Sequence, residues 1–259
     1  MKRFSPAKFA LAAVCALGLA AATSVRADTI AQWTFETGAP SATPSAWNGS
    51  AGVSGQTPGM TFASDLSTYG SGAASGYHAT AGTLWVSPVG NGSLRALSAN
   101  QWLQASDYYQ FTFTPSAAGT TFTGINLTWD QTASSSGPKN WNLNYSTDGV
   151  TWNTSPSDYS LAYFSWNSST VQGNNESTIF SGATETALEN TLYSGDTVYF
   201  RLVDDSAVSG GALNGGNVGT GGTSRVDNFT IIATIPEPSS LSLLGGFGLL
   251  AWHLIRRRK

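Results

Sequence analysis

The chain has 259 residues, of which 41% are hydrophobic, 12% aromatic and only 10% charged, with a formal net charge of −3. That total hides an uneven distribution: residues 28–235 hold four bases (Arg95, Lys139, Arg201 and Arg225) against fourteen acids, a net −10. So few bases cannot neutralise many phosphates, which excludes nucleic acid and anionic lipid surfaces as partners of this segment.

The N-terminus reads as a secretory signal over residues 1–27. Lys2, Arg3 and Lys8 supply a positive flank, Phe9 to Ala22 an apolar run, and Val25-Arg26-Ala27 the small residues that a signal peptidase reads. Cleavage is expected between Ala27 and Asp28, with signal peptidase as the partner and a signal helix before the cut. Cys15 is the only cysteine and leaves with the signal. The exported part then has no disulfide, no thiol nucleophile and no thiolate metal site, so its core must hold it. Residues 28–235 are enough for one large domain.

Through this segment the hydrophobic period is two rather than 3.6. Tyr109, Phe111 and Phe113 alternate with Tyr108, Gln110 and Thr112. Ile125, Leu127 and Trp129 alternate with Asn126, Thr128 and Asp130, and Trp141, Leu143 and Tyr145 with Asn142 and Asn144. Val198, Phe200 and Leu202 alternate with Thr197, Tyr199 and Arg201, and residues 225–234 read as a last strand. Each run has one face to bury and one for water, as antiparallel sheets require. Asp148-Gly149 predicts a hairpin turn. Ser209 to Thr223, with seven glycines, reads as a long mobile loop, and residues 183–192 as a short helix. The pattern predicts an all-β antiparallel sandwich or jelly roll, as a single domain over 28–235.

Catalytic chemistry is sparse. His78 is the one histidine of residues 28–235, and its setting, Ser-Gly-Tyr-His-Ala-Thr, reads as a surface loop. A histidine zinc site needs more ligands than that. Asp204 and Asp205 are adjacent and would point to opposite faces of a strand. Glu176, Glu185 and Glu189 read as solvated surface. The expectation is therefore a non-enzymatic domain. Among the tryptophans, Trp33, Trp129 and Trp141 fall on apolar faces and are expected in the core. Trp47, Trp152 and Trp166 stand beside Asn, Ser and Thr, a setting that suits stacking on sugar rings.

The C-terminus, residues 236–259, opens with Pro236-Glu237-Pro238, continues with the apolar stretch Ser239 to Ile255, and ends in Arg256, Arg257, Arg258 and Lys259. As a helix, 239–255 would span ~26 Å, close to a hydrocarbon core of ~30 Å. The terminal bases would stay cytoplasmic and leave residues 28–235 outside. A plain tail anchor explains the hydropathy but not Pro-Glu-Pro.

This three-part tail resembles the PEP-CTERM sorting signal of Gram-negative bacteria, also known as the "ice-binding protein C-terminal" domain, a label that implies nothing about ice. The resemblance implies recognition by an exosortase-like membrane protease. It also implies anchoring in the inner membrane through the C-terminal helix before processing, then a place in the cell envelope or extracellular polysaccharide matrix. The opening Ala31-Gln32-Trp33-Thr34-Phe35-Glu36, the central segment through Trp152 and the closing Val226-Asp227-Asn228 resemble jelly-roll ectodomains and carbohydrate-binding modules. In such modules acids on the first and last strands often hold a structural calcium. The matching acids are Glu36 and Asp227, with a salt bridge from Arg225 to Asp227 as the alternative. Ser146 to Trp152 is similar to the Asp-box hairpin of sialidases but lacks the residue between Asp148 and Gly149, and reads as an ordinary hairpin.

Overall fold

The computed structural model of the chain describes residues 25–36, 62–65, 68–79, 85–103, 107–116, 121–154, 159–171, 178–181 and 195–236. The expected signal helix, the expected helix at 183–192 and the expected membrane span at 239–255 all lie outside the described residues. Among the described residues there is no helix, hence none long and apolar enough to cross a membrane. Ala27–Thr234 forms one compact unit.

The described strands form two antiparallel sheets. The first joins β11 (Thr178–Ser181), β7 (Thr123–Ala133), β13 (Ser224–Pro236), β5 (Leu97–Ala99) and β4 (Trp85–Val86) in that order, with β1 (Val25–Trp33) also on β13. The second joins β10 (Tyr159–Ser160), β8 (Asn140–Ser146), β12 (Val198–Asp204), β6 (Tyr108–Pro115), β3 (Gly70–Tyr77) and β2 (Phe62–Ala63), with β9 (Asn153–Thr154) on β8. The Ala27–Asp28 bond falls inside β1, where Asp28 accepts a hydrogen bond from Tyr69 Oη at 2.7 Å.

Period-two alternation places the core. Tyr109, Phe111 and Phe113 of β6, Val198, Phe200 and Leu202 of β12, Trp141, Leu143 and Tyr145 of β8, and Ile125, Leu127 and Trp129 of β7 are all buried. Phe111 of one sheet stacks on Phe229 of the other, with ring centroids 3.6 Å apart and an interplanar angle of 2°. Trp33 meets both rings edge-on, at 5.3 and 5.8 Å. Tyr109 Oη donates to the Ser224 carbonyl of the other sheet at 2.8 Å. Burying each such side chain is worth roughly 1.5–3 kcal/mol, so this aromatic layer does the work that disulfides do in smaller exported domains.

Two segments differ from their reading in the sequence. Gly70–Tyr77 has a loop's composition but is strand β3, paired with β6 over eight residues. Its small residues make room for rings from neighbouring strands: a Cβ on Gly72 would stand 2.5 Å from Trp33 Cζ2. Ser209 to Thr223 is an anchored loop rather than a free one. Lys139 N donates to Gly211 O, Leu213 N to Gly137 O and Gly219 N to Ser136 O, and Ala212 and Val218 are buried. Its glycines serve close approach, since a Cβ on Gly222 would stand 2.1 Å from Ser136 O. The Asp148-Gly149 turn forms as expected between β8 and β9. Asp148 Oδ1 accepts from Val150 N and Thr151 N, and Gly149 takes a φ of 73°.

Candidate functional site

Since alternate residues of β3, β6, β12 and β8 fill the core, the others share the opposite face of that sheet. Register aligns them in cross-strand rows. Tyr77 lies beside Tyr108, which faces Val203 and then Asn142. One row along, Ser75, Gln110, Arg201, Asn144 and Thr154 are aligned. On this face planar groups stack in sequence. The Tyr77 and Tyr108 rings stack at 5.5 Å and 20°. The Arg201 guanidinium carbon is 3.9 Å from the Tyr108 centroid and 3.7 Å from that of Trp152, which meets Tyr199 edge-on. Arg201 Nε donates to Gln110 Oε1 at 2.8 Å, which fixes the plane of the fork. Beside the stack, Asn142 Oδ1 and Asn144 Oδ1 have no hydrogen-bond partner.

Of the three tryptophans expected to meet sugar, the two that are described stand apart in the fold. Trp152 is half-buried in this stack. Trp166 is only 6% exposed and cannot offer an open ring face there, because the loop after β10 turns it inward. Trp47 lies outside the described residues. Tyr77, Tyr108 and Arg201 were not anticipated in this role. The signal for Tyr108 and Arg201 was their place on the polar side of strongly alternating strands; Tyr77 was hidden by the loop-like composition of β3.

Glu36 and Asp227 both hold the segment between β4 and β5. Glu36 Oε1 accepts from Arg95 N at 2.7 Å, while Asp227 Oδ2 accepts from Asn91 N at 2.7 Å and lies 2.7 Å from Ser93 Oγ. Asp227 faces Asp130 across the β13/β7 ladder just before a β-bulge, with Asn228 at a φ of 50°. Asp227 Oδ1 accepts from Asn228 N, and Asp130 Oδ2 from the side-chain amides of Asn91 and Asn228. These oxygens meet protein donors, and among the described residues no group of three or more acidic, histidine or cysteine side chains is placed to hold a metal ion. Glu36 and Asp227 thus each accept from a different backbone amide of the same segment. The alternative also differs: Arg225 makes no ion pair with a described residue, because Asp227 turns into the buried loop clasp instead. Burial, followed by the neighbouring Asp130, pushes the Asp227 carboxyl up to about 8.

His78 is fully buried, contrary to its surface reading, because β3 runs straight into it. Its ring packs on Trp102 and Trp85 at 4.0 and 4.9 Å, with Nδ1 3.5 Å from Asp107 Oδ2. Burial lowers its pKa to about 3, so it is neutral at physiological pH. Nearby Asp204 is raised to about 7, chiefly by burial. Asp107 and Asp204 are 0% and 1% exposed, and Asp130 and Asp227 are 7% and 0% exposed, so neither acid pair opens to a substrate.

The sorting motif Pro236-Glu237-Pro238 starts at the end of β13, and Glu237 to Lys259, including Arg256, Arg257, Arg258 and Lys259, lie outside the described residues. Residues 234–259 match the PEP-CTERM protein-sorting motif. The chain carries a PEP-CTERM sorting domain. PEP-CTERM signals are recognised by exosortase, a membrane protease, so this tail implies an exported protein sorted to the cell envelope. No curated protein matches the chain. Among solved structures, it is similar to an arabinose-bound MgGH51 α-L-arabinofuranosidase, at 12% identity and TM-score 0.33, over 79% of this chain and 27% of that one. It thus spans about a quarter of that enzyme's length. It is also similar to TmCBM61 in complex with β-1,4-galactotriose, at 11% identity and TM-score 0.28, over 54% of this chain and 70% of that one. A third likeness is to the K3 adhesin domain of Lys-gingipain from Porphyromonas gingivalis W83, at 12% identity and TM-score 0.33, over 79% and 98% of the two chains. At these scores the likenesses assign no activity.

Proposed function

We propose that this PEP-CTERM protein is a non-enzymatic β-sandwich, displayed at the envelope or in the extracellular matrix, that binds polysaccharide through the face bearing Tyr77, Tyr108, Arg201 and Trp152. Signal peptidase would release it at Ala27–Asp28. The C-terminal helix would hold it in the inner membrane until an exosortase-like protease acts. The observation that carries the binding role is the stack itself. Arg201 locked between Tyr108 and Trp152 makes a rigid column of planar groups that loses little entropy when a ligand settles against it. Asn142 and Asn144 place side-chain amides beside the stack on the same face. The inaccessibility of the described acid pairs supports a binding role over hydrolysis.

The test is a glycan array probed with the full chain in detergent, as wild type and as Trp152→Ala. Wild-type signal on a defined glycan set that falls at least severalfold in the variant supports the reading. An array on which the two proteins give the same pattern rejects it.

A further inference from the structure

A second feature lies outside that face, against the other sheet. Arg225 of β13 is aligned between Ser98 of β5 and Thr132 of β7. Its side chain and that of Arg95 line one open cleft of about 580 Å³. Two of the four cations of residues 28–235 thus converge in a segment of net charge −10. Neither makes an ion pair with a described residue. Burial pulls the Arg225 guanidinium below its ordinary value, the mark of a cation partly stripped of water without a carboxylate in exchange. The walls are mixed in a telling way. Val89 and Leu94, at 43% and 67% exposed, give an apolar side that water covers poorly. Ser87 and Trp166 also line the cleft, both more than nine-tenths buried, and Ser87 Oγ and Trp166 Nε1 find no hydrogen-bond partner.

We propose that the cleft between Arg95 and Arg225 binds a carboxylate carried on a small, partly apolar body, of which a uronic acid unit is the fitting class. A guanidinium presents a planar fork that matches a carboxylate with two parallel hydrogen bonds, and two forks in one cleft select an anion over a neutral sugar. Val89 and Leu94 suit the C–H side of a sugar ring, above a wall in which Ser87 Oγ and Trp166 Nε1 lie buried and unpartnered. The surrounding acidity shapes the choice as well. A net −10 repels an extended polyanion but still admits a single carboxylate to a local cationic site. The site shares no residue with the stack on the other sheet, so the two can fail separately.

Isothermal titration calorimetry of the full chain in detergent tests it, with sodium D-glucuronate, D-glucose, sodium acetate and sodium phosphate as probes. Glucuronate should bind, and glucose roughly tenfold more weakly or not at all. Arg225→Gln should weaken glucuronate by roughly tenfold or more, and so should Arg95→Gln, whose loop position leaves the sheets intact. Acetate matching glucuronate would keep the carboxylate site and assign it to free small acids; acetate much weaker would assign it to the sugar-borne group. Glucuronate failing to bind, binding no better than glucose or phosphate, or binding both arginine variants as tightly as wild type, would overturn the proposal.

Discussion

Gly76 and Trp85 occupy one volume between them: a Cβ added to Gly76 would stand 2.2 Å from Trp85 Cη2. Strand β3 therefore owes its bare backbone to a ring supplied from β4. Gly76→Ala should cost roughly 1–3 kcal/mol through overpacking. In a domain of this size that lowers the melting temperature by several degrees, about 2–4 °C per kcal/mol. Trimming the ring in Trp85→Leu should make the same glycine substitution milder, a coupling that a double-mutant cycle reads directly. Equal costs in both backgrounds would mean that the ring is not what excludes the methyl.

Stability should fall as pH rises from about 6.5 to 8. Burial raises Asp227 to about 8 and Asp204 to about 7 in the folded chain, against roughly 4 unfolded. The folded state holds those protons longer, so their contribution is complete below about pH 4 and is lost as pH climbs through the folded values. His78, lowered to about 3, acts the opposite way between about 3 and 6.5 and offsets part of the loss there. Above 6.5 the acids act alone, for a loss on the order of 1–2 kcal/mol by pH 8. Thermal melts across that window check it, and Asp227→Asn should flatten the slope. Rising stability from pH 6.5 to 8 would contradict these environments.

The Asn91–Arg95 segment donates hydrogen bonds to Asp227 and Glu36. Melting temperatures in millimolar calcium and in chelator should then agree. A ligand that bound only the folded state would raise the first, and a clear rise would return Glu36 and Asp227 to the role of metal ligands. Glu36→Gln, which keeps an acceptor for Arg95 N, should be nearly neutral.

In the tail, a plain anchor needs only apolar length and terminal charge, whereas a sorting protease must read Pro236-Glu237-Pro238. Glu237→Ala should therefore accumulate full-length in the inner membrane of a host that has exosortase. Deleting Arg256 to Lys259 should disturb orientation. Fractionation with antibodies to the domain and to a tag after Lys259 distinguishes these outcomes. Wild type that keeps its tag, and fractionates with Glu237→Ala, would make the segment a simple anchor.

The large strands were legible in the sequence because aromatic and aliphatic residues alternate on β6, β7, β8 and β12, and one face of each is the core. Strand β3 was not, since its inward positions are filled by Trp33 and Trp85 from elsewhere, and a side chain supplied by a neighbour leaves no trace in the local pattern. His78 was misplaced for the same reason. The stack of Tyr77, Tyr108, Arg201 and Trp152 depends on register across β3, β6, β12 and the turn after β8, which no single segment encodes. The pairing of Arg95 with Arg225 in one cleft depends on β5 lying beside β13, a contact 126 residues apart at Ser98–Ser224.

The binding face is tested most directly by the indole N–H resonances of the tryptophans, recorded on the full chain in detergent as matrix polysaccharide oligomers from the producing cell are added. Trp152→Phe identifies its own signal. The Trp152 resonance should shift progressively and saturate, while Trp33, Trp129 and Trp141, each no more than 1% exposed, should stay in place. A Trp152 signal that does not move at saturating oligomer would contradict polysaccharide binding at this face.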